Sequence, residues 1–448
     1  MIIAGRALKT LPFFWMTKGV FSPMQSTKDL HRQARNTYLY YSISFLLFCT
    51  CYSCLTYNTA YYLEIGLSNT AIGIIQSANS LGAFLLPPLM GVLADKMRSM
   101  RKALLLCISF NTLCFALLPS LRTFMPLLLF TSVFAGFRNA SDSLNMTWIV
   151  SELEQKKKQG IFLNYGSIRI WGSLGYSLSC MVLNLLMSRL GLTNEGSFYI
   201  GAACMGAMVL FLLFGSGRGS TSAVPNVTPQ KQKTLTLKQL KPGRLLHNYY
   251  YLTYLVVYIL IWLASCFGLN YTTNLLEEIG VSTAFLGTVS GVRALFEIPA
   301  IFFSAKLAKK FGYEKCIIAS GIAFTLESFI FLYAQNSMMV LAAQVLHGLF
   351  DGLFMGLYVS YLFTLVPHSL AATTQTINMA LANVVSMVFY LLGGAIIDRL
   401  GVRPVFYVAA VIPAAGVLWF IITLAIGKAR KIPRYDMAQD PVEQALQQ

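Results

Sequence analysis

Arg169 stands inside an apolar stretch, Asn164–Tyr176, that reads NYGSIRIWGSLGY. Two more arginines, Arg138 and Arg293, one imidazole, His347, and four carboxylates, Asp142, Glu297, Glu327 and Asp351, lie in equally apolar surroundings. Six of these groups form pairs at a spacing of four: Arg138 with Asp142, Arg293 with Glu297, and His347 with Asp351. On a helix that spacing puts both members on one face, about 6 Å apart along the axis. An ionised side chain in hydrocarbon costs roughly 2.5–3.5 kcal/mol on insertion scales, so such groups face a wet cavity and find partners. The chemistry available to them is proton exchange. A carboxyl moved out of water holds its proton more tightly, and an approaching cation loosens it again. The imidazole titrates near neutrality and can relay such a proton.

The elements that must hold these groups are membrane helices. Of 448 residues, 56% are hydrophobic and 11% charged, against about 25% charged for a soluble domain. The mean hydropathy is +0.62. Apolar runs long enough to cross about 30 Å of hydrocarbon recur along the chain. The short alternating segments of a membrane β-barrel are not seen. The pattern predicts an all-α membrane protein with twelve spans, near 37–62, 70–92, 103–121, 124–150, 163–188, 197–216, 248–271, 283–304, 316–336, 337–364, 371–397 and 404–427. A Gly-, Ser-, Thr-, Pro- and Lys-rich segment, 217–247, reads as a linker between two six-helix bundles, 37–216 and 248–427. Residues 1–36 and 428–448 read as cytoplasmic tails.

Of the 34 Lys and Arg residues, 27 fall on the side of these tails and four on the other, which predicts cytoplasmic termini in a cell membrane. The net charge of +17 is thus a topology signal and no mark of nucleic-acid binding. The halves also repeat: EIGLSNTAIG, Glu64–Gly73, returns as EIGVSTAFLG, Glu278–Gly287. A duplicated six-helix unit is the plan of a two-bundle transporter with its site near the midplane. Nothing points to an enzyme: HExxH, P-loop and GxSxG motifs are missing, and the four histidines are scattered. Cys51 and Cys54 form a CxxC without a second one nearby, so they read as small packing residues; no metal or cofactor is expected.

The plan resembles the major facilitator superfamily over residues 37–427. GVLADKMRSMRK, Gly91–Lys102, is similar to its signature loop, matching at Gly91, Asp95, Lys96, Arg101 and Lys102, with the second glycine replaced around Arg98. The resemblance gives this loop the part of a gate between inward- and outward-facing states. YGSIRIWGSLGY resembles the fifth helix of the lactose permease, oligosaccharide symporter and phenylpropionate permease branches, through Tyr165, Gly166, Arg169, Trp171, Gly172 and Gly175. In the lactose permease group that arginine bonds the sugar and an aromatic seven residues later, here Tyr176, stacks on it. RALFEIPAIFFSAKL, Arg293–Leu307, and QVLHGLFDGLF, Gln344–Phe354, resemble the eighth and tenth helices of the same branches, which places Glu297 and His347 at their acid and histidine.

The expected function is secondary transport: a proton-coupled symporter that imports a polyhydroxylated solute, a galactoside or oligosaccharide, by alternating access. Uptake of an aromatic acid or nucleoside is the alternative, and drug efflux a weaker one. Arg169, Tyr176, Glu297, Trp171 and His347 are the candidate solute ligands. Glu297, Asp351, His347, Asp142 and Glu327 are the candidate coupling groups. Tyr52, Asn58, Tyr254, Tyr258, Asn270, Tyr358, Asn378 and Asn383 are candidate pocket walls. The only partners expected are the solute, protons and the bilayer, with the chain acting as a monomer.

Overall fold

The repeated decapeptide explains the architecture first. In each copy a glycine, Gly66 (φ +85°) or Gly280 (φ +69°), takes a left-handed conformation that ends one helix. Two residues on, the Ser68 or Ser282 hydroxyl accepts a backbone N–H, from Ala71 (3.2 Å) or Ala284 (3.3 Å), and starts the next helical segment. The last residue of each copy, Gly73 or Gly287, meets backbone of the other half: a side chain there would collide with the carbonyl of Tyr390 or Cys180. The same sequence thus builds the same turn and the same close helix crossing twice.

A computed structural model describes residues 27–215, 245 and 247–434. Its long helices are α1 (Thr27–Cys51), α2 (Asn69–Lys96), α3 (Met100–Leu117), α4 (Phe124–Lys158), α5 (Tyr165–Leu190), α6 (Asn194–Phe214), α7 (Tyr249–Asn270), α8 (Leu286–Phe311), α9 (Tyr313–Tyr333), α10 (Ser337–Leu365), α11 (His368–Leu400) and α12 (Arg403–Ala429). α1 runs on through a 3₁₀ segment, Tyr52–Tyr57, and a short helix, Asn58–Glu64; α7 is likewise followed by Thr272–Glu278. Eleven of these helical stretches are long and apolar enough to cross a membrane. The remaining one, α4, has 35 residues and carries Arg138 and Asp142 at mid-length. α1 begins ten residues before the span expected from position 37. The expected linker and both terminal tails fall largely outside the described residues.

Packing follows the repeat. α2 lies on α4 as α8 lies on α10, α1 on α5 as α7 on α11, and α3 on α6 as α9 on α12. The two bundles meet along α2 with α11 and α5 with α8. On α5, Gly172 and Gly175 let α1 approach to Phe45 and Leu46.

Hydrogen bonds between the bundles crowd toward one face, the one opposite the start of α1 and the end of α12. Asp398 of α11 caps α2, taking the backbone N–H of Asn69 (3.0 Å) and Thr70 (2.8 Å) and both their side chains (3.0 and 2.6 Å). Ser77 donates to the Met387 carbonyl (2.6 Å), Ser177 to that of Gly291 (2.6 Å), and Asn184 to the Thr288 hydroxyl (2.7 Å). Deeper toward the terminal face, Asp142 and Arg169 are not covered by packing although they sit between apolar runs. The cleft between the bundles is sealed at the distal face and opens toward the terminal one.

Asp398→Ala removes four bonds from that seal, and even about 1 kcal/mol for each backbone bond shifts a two-state ratio by roughly tenfold or more. Spin labels at Leu67→Cys and Leu400→Cys in a cysteine-free background are expected to show a longer distance population that the Asp398 parent lacks. An unchanged distribution would mean that the cap does not hold the seal.

Candidate functional site

Under the distal seal, the two bundles enclose a cavity of about 480 Å³. Its walls come from both halves of the repeat. α1 contributes through its 3₁₀ stretch, where Cys51, Ser53 and Cys54 each donate to a backbone carbonyl three or four residues back, at Leu47, Thr50 and Cys51. Such local bonds compete with the regular helix ladder and tighten the turn. This accounts for the CxxC: both thiols are buried packing groups. The tightened segment turns Tyr52, Thr56, Asn58 and Tyr62 to the cavity.

Facing them are Gln76 and Asn79 of α2, Arg138 and Asn139 of α4, and Tyr176 of α5. From the second bundle come Asn270, Arg293, Gln344, Asn383 and Tyr390. Tyr176 is held by the Thr56 hydroxyl at 3.1 Å. The Asn58 and Asn79 side-chain carbonyls, the Gln344 side-chain carbonyl and the Tyr62 hydroxyl are buried and have no hydrogen-bond partner. Buried polar atoms are nearly always bonded, so four unpartnered ones around a single chamber mark a place where a ligand or water completes them.

Toward the terminal face, the ionisable groups form one connected set. Asp142 interacts electrostatically with Arg138 and Arg169. Glu297 does so with Asp351, Arg293, Arg169 and His347, which brings charges of α5, α8 and α10 together. Asp351 accepts from the Ser265 hydroxyl at 3.3 Å. Beside this set lies the tightest pair in the core. His347 Nδ1 is 2.9 Å from both oxygens of Glu327, with the side chains 0% and 2% exposed. Phe324 packs edge-on against the imidazole at 5.3 Å. The other ring nitrogen, Nε2, is buried without a partner.

Several expectations change against this geometry. None of the spacing-of-four pairs forms an ion pair or hydrogen bond among the described residues. Each pair shares a helix face, yet His347 takes its partner from α9, one helix away. Tyr176 lines the cavity, whereas Glu297 and His347 lie beside it. Trp171 does not join them: it is about 200° around α5 from Arg169, and its Nε1 donates to Tyr38 of α1 at 2.9 Å. Tyr254 and Tyr258 belong to the core of the second bundle, and Asn378 accepts from Tyr251 at 2.9 Å.

Gln76, Asn79, Asn139 and Gln344 were not anticipated. Nothing in their spacing marks them: Asn139 is about 100° around α4 from Arg138, and Gln344, one turn before His347, reads as ordinary polar packing. In the Gly91–Lys102 loop, Arg98 has φ +49°, the left-handed region that suits the glycine it replaces. Asp95, Lys96 and Lys102 are exposed, Gly91 is half-buried, and Arg101 donates to the Leu212 carbonyl at the end of α6.

Glu327→Ala leaves a buried imidazole without its acceptor. The expected loss is about 3 kcal/mol of stability, with Glu327→Gln losing less, both read as the midpoint of thermal unfolding in detergent. Equal midpoints for all three proteins would show that the pair contributes nothing to holding α9 on α10.

Comparison with known proteins agrees with this architecture. The MFS_1 like family matches residues 38–408 of the chain. An uncharacterized transporter of Bacillus subtilis (strain 168), YwbF, is 24% identical over 82% of this chain and 87% of its own. The maltose permease of Geobacillus stearothermophilus is 25% identical over 79% of this chain and 86% of its own. The crystal structure of the nucleoside transporter NupG superposes with a TM-score of 0.71 at 18% identity, covering 88% of this chain and 99% of that one.

Proposed function

Because the chain belongs to the MFS_1 like family of the major facilitator superfamily and is a multi-pass membrane transporter, we propose that it is a proton-coupled symporter for a polyhydroxylated solute, a sugar or oligosaccharide. The single observation that carries this reading is the chamber between the bundles with its four unpartnered polar atoms. Amide and tyrosine side chains bond hydroxyls, and the half-buried Tyr52 and Tyr176 rings offer faces to a sugar ring. The acids and arginines on the terminal side of the chamber supply the coupling. Glu297 meets Arg293 and Arg169 from different bundles, so rocking of the bundles changes how many cations it faces, and with that its hold on a proton.

In this reading the terminal face is cytoplasmic, the conformation described is inward-open, and solute and proton travel together into the cell. A second reading, nucleoside uptake, is favoured by the same aromatic and amide walls and by the likeness of fold to a nucleoside transporter. Arg169 does not line the chamber; two turns below Tyr176 on α5 it stands with the coupling acids, and from there it meets the solute on its way into the chamber in either case.

Reconstituted vesicles tested with labelled maltose, melibiose and uridine are expected to accumulate one of them only when a proton gradient is imposed. Accumulation of none, or accumulation indifferent to the gradient, overturns the reading. Of Glu297→Gln and Asp351→Asn, at least one is expected to abolish uphill uptake while leaving solute exchange; full gradient-driven transport by both would remove these acids from coupling. Arg169→Lys is expected to weaken solute binding about tenfold, since an ammonium does not reproduce the planar fork of donors. Unchanged affinity would reduce Arg169 to an ion-pair residue.

A further inference from the structure

The chamber under the distal seal has an unbalanced charge. Two guanidinium groups line it, Arg138 from the first bundle and Arg293 from the second, and no Asp or Glu is among the lining residues. The acid four residues on in each helix, Asp142 or Glu297, makes no ion pair or hydrogen bond with its arginine. Within the chamber wall the neighbours of the two cations are phenols, Tyr52 and Tyr62 for Arg138 and Tyr176 for Arg293, while Asp142 and Glu297 act on them electrostatically from one turn nearer the terminal face. Two half-buried like charges facing one chamber repel each other. What the chamber wall itself lacks is a negative group.

The unpartnered atoms specify the rest of the ligand. The side-chain oxygens of Asn58, Asn79 and Gln344 are acceptors, so they call for donor hydrogens, which hydroxyls provide. The Tyr62 hydroxyl can give or take. We propose that the solute is a sugar acid: a hydroxylated ring or chain bearing one carboxylate, with the carboxylate between Arg138 and Arg293 and the hydroxyls on the amide oxygens. This rests on the reading of the chamber as the transport site and narrows its substrate class. The arginine pair also has a mechanical consequence. An anion held by one cation from each bundle ties the bundles together, so it is bound most tightly when they close around it. An inorganic anion would satisfy the arginines but leave the three acceptors empty, and a neutral sugar the reverse.

The test uses the full-length protein, reconstituted, with matched probes: galacturonate against galactose, glucuronate against glucose, and gluconate against sorbitol. Cyclohexanecarboxylate and inorganic phosphate serve as anions without the hydroxyl pattern. At least one sugar acid is expected to bind at least about tenfold more tightly than its neutral partner and than either control. Arg138→Gln and Arg293→Gln are expected to erase that preference, with Arg→Lys at each site retaining part of it. Proton-driven uptake of a neutral sugar with no advantage for its acid would overturn this inference and leave the transport reading intact. Tighter binding of cyclohexanecarboxylate or phosphate than of every sugar acid would overturn it in favour of a simple anion site. If no hydroxylated probe, charged or neutral, binds or accumulates, the transport reading itself fails. The comparison among probes on the unmodified protein stands even if an arginine variant does not fold.

Discussion

A cation cannot rest in hydrocarbon, and much of this structure follows from where three arginines are put. Arg138, Arg169 and Arg293 lie in apolar helices, and none is neutralised by a direct ion pair. They are tolerable only because the bundles leave a cleft between them that water can enter, with acids of their own or a neighbouring helix within electrostatic reach. The helices therefore cannot pack as one solid bundle. They form two, tied together at the distal face by bonds to backbone and small polar groups, and parted toward the terminal face where the charges are.

The seal and the charged cleft work against each other in a useful way. Close approach of α2 to α11 and of α5 to α8 depends on glycines at the crossings and on the cap that Asp398 places over α2. These contacts are short and numerous but individually weak, which suits an interface that must open. The charged set has no comparable direct bonds across the bundles. Its energy depends on how many cations each acid faces, and that number changes as the bundles rock. A proton or a solute that alters the charge balance can therefore bias the equilibrium between the two openings.

The fold was largely legible in the sequence because hydrocarbon imposes length and apolarity on each span, and because the EIG repeat encodes one turn and one crossing in ten residues. The charged α4 could still be recognised, since apolar runs flank its polar middle and its other charges lie at the terminal-face end, beyond residue 150. Partners were much less legible. The spacing of four correctly put Arg138 with Asp142 and Arg293 with Glu297 on common faces, but proximity along a helix did not produce bonds. The His347–Glu327 pair joins two helices, and nothing within one helix signals it. Uncharged amides were hardest of all: Gln76 and Gln344 differ from ordinary polar packing residues only in facing a chamber, and a chamber is a property of the assembled bundles.

The central claim is that solute and proton share one path between the bundles. Its most direct measurement adds the identified solute to reconstituted vesicles with no imposed gradient and weak buffering, while the external pH is recorded. The account predicts that solute running down its own gradient carries protons in, so the medium becomes more alkaline and an uncoupler abolishes the change. Solute entry with no movement of external pH would contradict it.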